Sequence, residues 1–590
     1  IISTHSCLFT VVFQHAIRCH LSPDIIDMES LFFKKFTLGI SIYYAIYSVS
    51  AVQSNNPGNS PNIIVIIADD LGWNDVSFHG SNEIPTPNID SLAYNGLILR
   101  NHYVLPTCTP SRTAFLTGRY PIREGMQGYP LLAGEPRGIP LTTKLLPEHL
   151  RNLGYSTRLV GKWHVGYSSD ELTPAKRGFD TFFGYYNGFI DYYRHNATTI
   201  FGVTGYDFHR DNPKELKPDW ARTGEYATDI FTDEAVKIIE EHDIHRPLYL
   251  QLSHLAPHSS DVEDPSLEVR NFTALKQAFH YIENVKRLTY AGMVTAVDES
   301  VGRVVEALNR KNILANSIII FLADNGAPTF GEHENYGSNY PLRGIKSSFY
   351  EGGVHGAACV YSSLIKNPGR IVDDLVHMAD WLPTLYAAAG GNDQDLGVID
   401  GVNQWPTIER GEPGSRKSLL INIDEKLDRE AAIIGRYKLL KKGAMPHYDG
   451  YYGNNIDDED SSAPAYDLNA IMSSSTSQAI LETTGVLANS SIILDLRARG
   501  RIICEPFTKF ANCSETCLFD LEIDPCETTN ISNRFPDMVE MLENFIAGYR
   551  NVLMNQTNAP VDPKSYPECH NGVWMPWLDA EDDIMGKLSI

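Results

Sequence analysis

Four short apolar runs mark the first 330 residues, and each gives way abruptly to polar side chains. IIVIIA (63–68) is β-branched and apolar at every position, the pattern of a strand buried on both faces. It ends in Asp69 and Asp70. YSTRLVG (155–161) leads to Lys162 and His164, PLYLQLS (247–253) to His254 and His258, and SIIIFLA (317–323) to Asp324 and Asn325. Helical periodicity lies between them. Leu145, Leu146, Leu150 and Leu153 form one stripe over 141–154, closed by Gly154. Ala235, Val236, Ile238 and Ile239 share a side of 225–242, and Met293, Val297, Val301, Val304 and Leu308 recur at helical spacing over 288–310. Strands alternating with helices predict an α/β fold with a largely parallel sheet. Ligands of such sheets bind beyond the carboxyl ends of the strands, so the topology alone brings these polar endings to one edge.

The character changes after about residue 410. RKSLLINIDE and AAIIGRYKLLKKG read as two strands joined by a turn, and 450–490, rich in Asp, Asn, Ser and Tyr, reads as loop. The expected division is a main domain over 61–415 and a smaller C-terminal domain over 416–590 containing an antiparallel sheet.

The net charge of −24 over 590 residues argues against a surface that generally binds nucleic acid or heparin, while leaving room for a small cationic pocket. Residues 1–27 precede the first methionine and read as an untranslated-like leader. From Met28, two lysines, an apolar run and small residues ending at Ala51 predict a signal peptide. No later apolar run is long enough to span a membrane. Glycosylation sequons at Asn196, Asn271, Asn489, Asn512, Asn530 and Asn555 agree with a secretory route. In an oxidising compartment Cys359, Cys504, Cys513, Cys517, Cys526 and Cys569 form an even set available for disulfides. Cys108 is left over, alone in CTPSRTAFLTGRY.

Asp69, Asp70, Asp324 and Asn325 offer only oxygen donors, which select a hard cation such as Ca²⁺ or Mg²⁺. Arg112, Lys162 and Lys346 are cations suited to an oxyanion. His164 and His258 are candidates for proton transfer, with His254 competing for the second role. Ser111 has no nucleophile elbow around it, and Cys108 lacks the local signatures of a cysteine protease.

CTPSRTAFLTG fits the sulfatase pattern C-x-P-S-R-x-x-x-L-T-G at every fixed position, and GKWH, IIADDLGWNDVSFHG and FLADNGA match three further sulfatase blocks in order. The chain thus resembles the type I, formylglycine-dependent sulfatases over about 61–410. NYPLRGIKSSFYEGGVHG is most similar to the arylsulfatase B branch, although the spacer between Tyr120 and Lys162 lacks cysteines found in some of its members. The resemblance implies an alkaline-phosphatase-like large mixed sheet flanked by helices. It implies that a formylglycine-generating enzyme reads Cys108, Pro110 and Arg112 and converts Cys108 to Cα-formylglycine. The hydrated aldehyde then attacks the sulfur of a sulfate ester and later expels sulfate. It further implies a Ca²⁺ held by Asp69, Asp70, Asp324, Asn325 and the modified Cys108, with Arg112 and Lys162 positioning the nucleophile. The resemblance also implies that His164 acts as base, that His258 and Lys346 bind sulfate, and that His258 or Lys346 protonates the leaving oxygen. The expected substrate is an aryl or sugar sulfate, N-acetylgalactosamine-4-sulfate among them, in a lysosomal or extracellular setting. A sulfatase for another small sulfated metabolite, a phosphohydrolase of related fold and an inactive carbohydrate-binding relative are the competing readings.

Overall fold

The computed structural model describes residues 60–260, 266–443, 445, 447–452, 463–504 and 510–579. The leader and signal peptide expected over 1–51 lie outside the described residues.

The central sheet has nine strands: β1 (Asn62–Ala68), β2 (Leu97–Leu99), β3 (Ser156–Lys162), β4 (Thr181–Tyr185), β5 (His209–Asp211), β6 (Leu248–Ser253), β7 (Ser317–Ala323), β8 (Ala358–Ser362) and β9 (Arg370–Val372). Their order is β9-β2-β8-β7-β1-β6-β3-β4-β5. The five strands from β7 to β4 run parallel, with β1 at the centre pairing Ile63 to Ile318 on one side and to Tyr249 on the other. β8 and β5 are antiparallel to their neighbours, which makes the sheet mixed. All seven residues of β1 are buried, as expected of a strand covered on both faces. Helices α1 (Pro87–Asn95), α2 (Cys108–Thr117), α3 (Leu146–Asn152), α4 (Ala227–Glu241) and α5 (Val285–Arg310) belong to this part. The stripe expected along α5 is observed, with Met293, Val297, Val301, Val304 and Leu308 all buried. The helix expected over 141–154 is shorter, because Leu145 is extended and Pro147 occupies the first turn.

A second sheet joins β10 (Ser418–Asp424), β11 (Arg429–Ile434), β12 (Tyr437–Lys441) and β13 (Thr516–Asp520), all antiparallel. The stretch 431–443 holds a hairpin rather than one strand: Gly435, at φ 58°, turns β11 into β12. Alternation along these strands is two-sided. Leu419, Ile421, Ala431, Ile433, Leu440 and Phe519 pack toward Phe349, Tyr350 and Val354. Leu420, Ala432, Leu439 and Leu518 pack toward Leu542 and Ile546 of a terminal helix, Pro536–Arg550. Both faces are therefore buried, and the β10–β11 turn is held beside the central sheet's functional edge.

Two expectations are corrected. The 450–490 tract contains helices Leu468–Met472 and Ser475–Thr484, capped by the Asp467 and Ser474 side chains. Their Ile471, Ala479 and Ile480 enter the main core. Of the six cysteines expected to pair, four do, as Cys504–Cys526 and Cys513–Cys517. Cys359 is buried on β8 without a thiol partner, and Cys569 is exposed.

Candidate active site

The carboxyl ends of β1, β3, β6 and β7 do converge. β1 runs into Asp69 and Asp70, and Asp70 takes a left-handed φ of 62° that short polar side chains tolerate. Its carbonyl is held by Asn335 Nδ2 at 2.9 Å. Close approach of the strands here needs two glycines: a Cβ on Gly161 would lie 1.9 Å from Ser253 O, and one on Gly184 would lie 2.0 Å from Gly161 O. Cys108 opens helix α2, and Arg112 follows one turn later on the same side.

Charges alternate through the buried cluster. Lys162 Nζ lies 2.5 Å from Asp69 Oδ2, Lys346 Nζ 2.7 Å from Asp70 Oδ2, and Arg112 Nη2 2.8 Å from Asp324 Oδ2. Asn325 Nδ2 donates to Asp70 Oδ1 at 2.6 Å. His258 Nε2 stands 3.3 Å from both Asp70 Oδ2 and Lys346 Nζ. Burial, then repulsion from Asp69, raises the Asp324 carboxyl; burial also raises that of Asp70, against the pull of Lys346. All these residues are at most 8% exposed.

The donor set fits a hard divalent cation. Asp69 Oδ1 and Asn325 Oδ1 are buried without hydrogen-bond partners. Donor atoms of Asp69, Asp70 and His258 lie within 4.8 Å of one another. Asp324 is turned toward Arg112 through Oδ2, while its Oδ1 accepts from the Asp70 N–H. An oxygen-rich, buried, partly unsatisfied cluster of this kind is the chemistry that Ca²⁺ or Mg²⁺ completes.

The histidines separate cleanly. His258 Nδ1 faces Ser259 O at 2.7 Å, so Nδ1 carries the proton and Nε2 presents its lone pair to the cluster. His164 Nε2 donates to Leu131 O at 2.8 Å, leaving a buried and unpartnered Nδ1 as acceptor. Burial first, then neighbouring lysines, holds both imidazoles well below the ordinary range. His254 instead bonds Ser300 of α5 at 2.9 Å, a structural contact. Ser111 is also committed, accepting from Leu105 N and donating to Leu105 O.

Cys108, His164, His258 and Lys346 open onto a cavity of about 510 Å³. Burial pushes the Cys108 thiol up despite Lys162 and Lys346, so the thiol stays protonated and is a poor nucleophile in its own right.

The sequence profile of the Sulfatase family matches residues 61–391. The chain belongs to the sulfatase family. Mouse arylsulfatase J is 35% identical over 537 residues, covering 90% of this chain and 82% of that protein. Human N-acetylgalactosamine-6-sulfatase is 32% identical over 64% of this chain and 71% of its own. The crystal structure of Ps i-CgsB in complex with k-i-k-neocarrahexaose superposes with a TM-score of 0.64 at 25% identity, covering 89% of this chain and 99% of that one. This sulfatase is thus a sulfuric ester hydrolase. Its relatives are named for different substrates and do not single out the arylsulfatase B branch. Among the described residues, no helix of the sulfatase is long and apolar enough to cross a membrane.

Sequence reasoning missed Asn335, which also bonds Pro257 O at 3.1 Å and so ties the His258 loop to Asp70. It also missed Phe189, stacked on His258 at 5.1 Å. Neither sits at a strand end, so no pattern pointed to them.

Proposed function

We propose that this sulfatase hydrolyses aryl or sugar sulfate esters with a nucleophile made from Cys108. The observation that carries the reading is Cys108 itself: unpaired, 3% exposed and facing the cavity beside Lys346 and His164. A formylglycine-generating enzyme would convert it to Cα-formylglycine, whose hydrate offers one hydroxyl to take the sulfuryl group and a second to expel it. Arg112 and Lys162 fix the carboxylates around that position. His164 Nδ1 is the free acceptor that takes the proton as sulfate is expelled, and Lys346 with His258 meets the ester's sulfate oxygens and leaving oxygen. Asp69, Asp70, Asp324, Asn325 and the modified residue would hold a Ca²⁺, which supplies positive charge against the sulfate. The signal-peptide pattern and the sequons support passage through the secretory pathway to a lysosomal or extracellular destination.

Mass analysis of the tryptic peptide Asn101–Arg112, from protein made in a secretory host, is expected to show an aldehyde at Cys108, with the sulfur and two hydrogens lost and one oxygen gained. Full activity from a chain whose peptide retains the thiol would overturn the proposal. Removal of divalent ions by a chelator is expected to lower Tm as well as activity, with Ca²⁺ restoring both. Binding at a hundredfold excess over Kd adds about 2.7 kcal/mol of stability. An unchanged Tm on chelation would count against the cation.

A further inference from the structure

Thr109 fills the variable second position of the C-x-P-S-R pattern and is fully buried in the first turn of α2. Its Oγ1 accepts from the Leu131 N–H at 3.1 Å and donates to His164 O at 3.2 Å. Leu131 O in turn accepts from His164 Nε2 at 2.8 Å. Thr109, Leu131 and His164 thus close a hydrogen-bonded ring beside Cys108. His164 needs such a hold. Its φ of 58° is left-handed, which a residue other than glycine keeps only where its surroundings fix it. On its amino side, His164 N donates to Tyr186 O at 3.0 Å. Gly188 closes against the imidazole itself: a Cβ there would lie 2.9 Å from both Cε1 and Nε2.

The ring decides how the imidazole is presented. Nε2 is spent on Leu131 O, so Nδ1 is the acceptor left buried and unpartnered. On the reading above, Nδ1 takes the proton of the second hydroxyl as the sulfated diol collapses. The carbon–oxygen bond to sulfate breaks, its electron pair leaves with sulfate, and the remaining C–O–H becomes the aldehyde C=O. The earlier attack on sulfur does not draw on Nδ1. Misplacing an acceptor by about 1 Å slows such a transfer by up to about a hundredfold. Thr109 is bonded through the chain to the residue that bears the hydroxyls and through Oγ1 to the residue that bears the acceptor. Both reaction partners therefore sit on one hydrogen-bonded unit.

We propose that Thr109 is a positioning residue for the release of sulfate: its hydroxyl sets His164 against the modified Cys108, and the attack on sulfur is largely independent of it. This rests on the sulfatase reading above and assigns a role to the position that the pattern leaves open. The position requires a hydroxyl, because one group must donate and accept at once. Valine has the shape of threonine and does neither; serine does both.

The test uses formylglycine-bearing protein, with the aldehyde fraction read from peptide 101–112 so that every rate is per modified site. The protein is mixed with excess 4-nitrophenyl sulfate, release of 4-nitrophenol is followed, and samples quenched during turnover are weighed intact. Thr109→Val is expected to lower kcat about tenfold to a hundredfold, with a burst of about one 4-nitrophenol per site and a sulfuryl group held on most chains. Thr109→Ser is expected to restore most of kcat and to clear the sulfuryl group. Gly188→Ala leaves the modification pattern intact and displaces the imidazole directly, so it is expected to accumulate the same sulfated enzyme. A purely structural role for Thr109 would lower Tm without loading sulfate on the protein. Sulfated enzyme no more abundant than in the wild type in both Thr109→Val and Gly188→Ala, or a loss of kcat that serine does not repair, would overturn the proposal while wild-type turnover leaves the sulfatase reading intact. Formylglycine-bearing wild type that turns over neither 4-nitrophenyl sulfate nor a monosulfated sugar would overturn both.

Discussion

Cys108→Ser is expected to lose steady-state sulfate ester hydrolysis by at least ~10⁴-fold in kcat, with Tm nearly unchanged. Serine is almost isosteric with cysteine, and the site is buried at the start of α2, so folding has little reason to fail. Its hydroxyl sits among the same cations and can still attack sulfur. It has no second oxygen on the same carbon, so the sulfated serine that forms cannot collapse and must wait for an external water. A single turnover is therefore expected, visible as one sulfuryl group on the intact mass of the protein. Continued turnover at the native rate would sink the diol mechanism and reopen the case for an ordinary hydroxyl nucleophile.

That outcome also bears on the two rival nucleophiles. The native thiol is disfavoured because burial, with Asp69 and Asp324, raises it against the pull of Lys162 and Lys346. Ser111 is disfavoured because both functions of its hydroxyl are used on Leu105.

The carboxylates and Lys162 of the buried cluster were legible because they sit at or just beyond strand ends. Asp69, Lys162, His258 and Asp324 come from sites far apart in the chain, yet parallel strands put them on one edge. The choice between His254 and His258 was not legible: both follow β6 within five residues, and only the turn through Pro257 sends one toward Asp70 and leaves the other on Ser300. The helices within 466–484 were masked by a polar composition, although Asp467, Ser474 and Gly485 mark their ends. The buried amides were not legible at all. Asn422 and Gln127 are unremarkable residues until the β10 edge of the second sheet meets the loop after Tyr120. Buried charge pairs across distant segments are hidden for the same reason, and one of them carries the largest expected stability effect.

Lys438→Met is expected to destabilise the fold by about 3–5 kcal/mol near pH 7.5, because it strands buried carboxylates without their cation. Lys438 on β12 is fully buried, with Nζ 2.7 Å from Glu351 Oε1 and 2.8 Å from Glu527 Oε1. Glu351 also accepts from Tyr103 at 2.9 Å and lies 2.9 Å from His355 Nδ1, so the lysine links the second sheet to Tyr103 and to the 351–355 segment. Burial would raise Glu351, but Lys438 and His355 outweigh it and hold the carboxyl down to about 2. Burial dominates at Glu527 and pushes it up to about 7. These shifts have opposite consequences. The stabilisation from Glu351 is present above its ordinary 4.5 and is lost as pH falls toward 2. That from Glu527 is present when it is protonated, below 4.5, and is lost as pH rises through 7. Both favour the folded state together near pH 4.5 to 5, so the wild-type Tm is expected to be higher at pH 5 than at pH 8. In Lys438→Met the deficit is expected to shrink at pH 5, where Glu527 is already neutral and Glu351 protonates at little cost. Thermal melts of both proteins at the two pH values check this; a deficit that is constant or larger at pH 5 would show that the lysine acts through packing rather than through its two carboxylates.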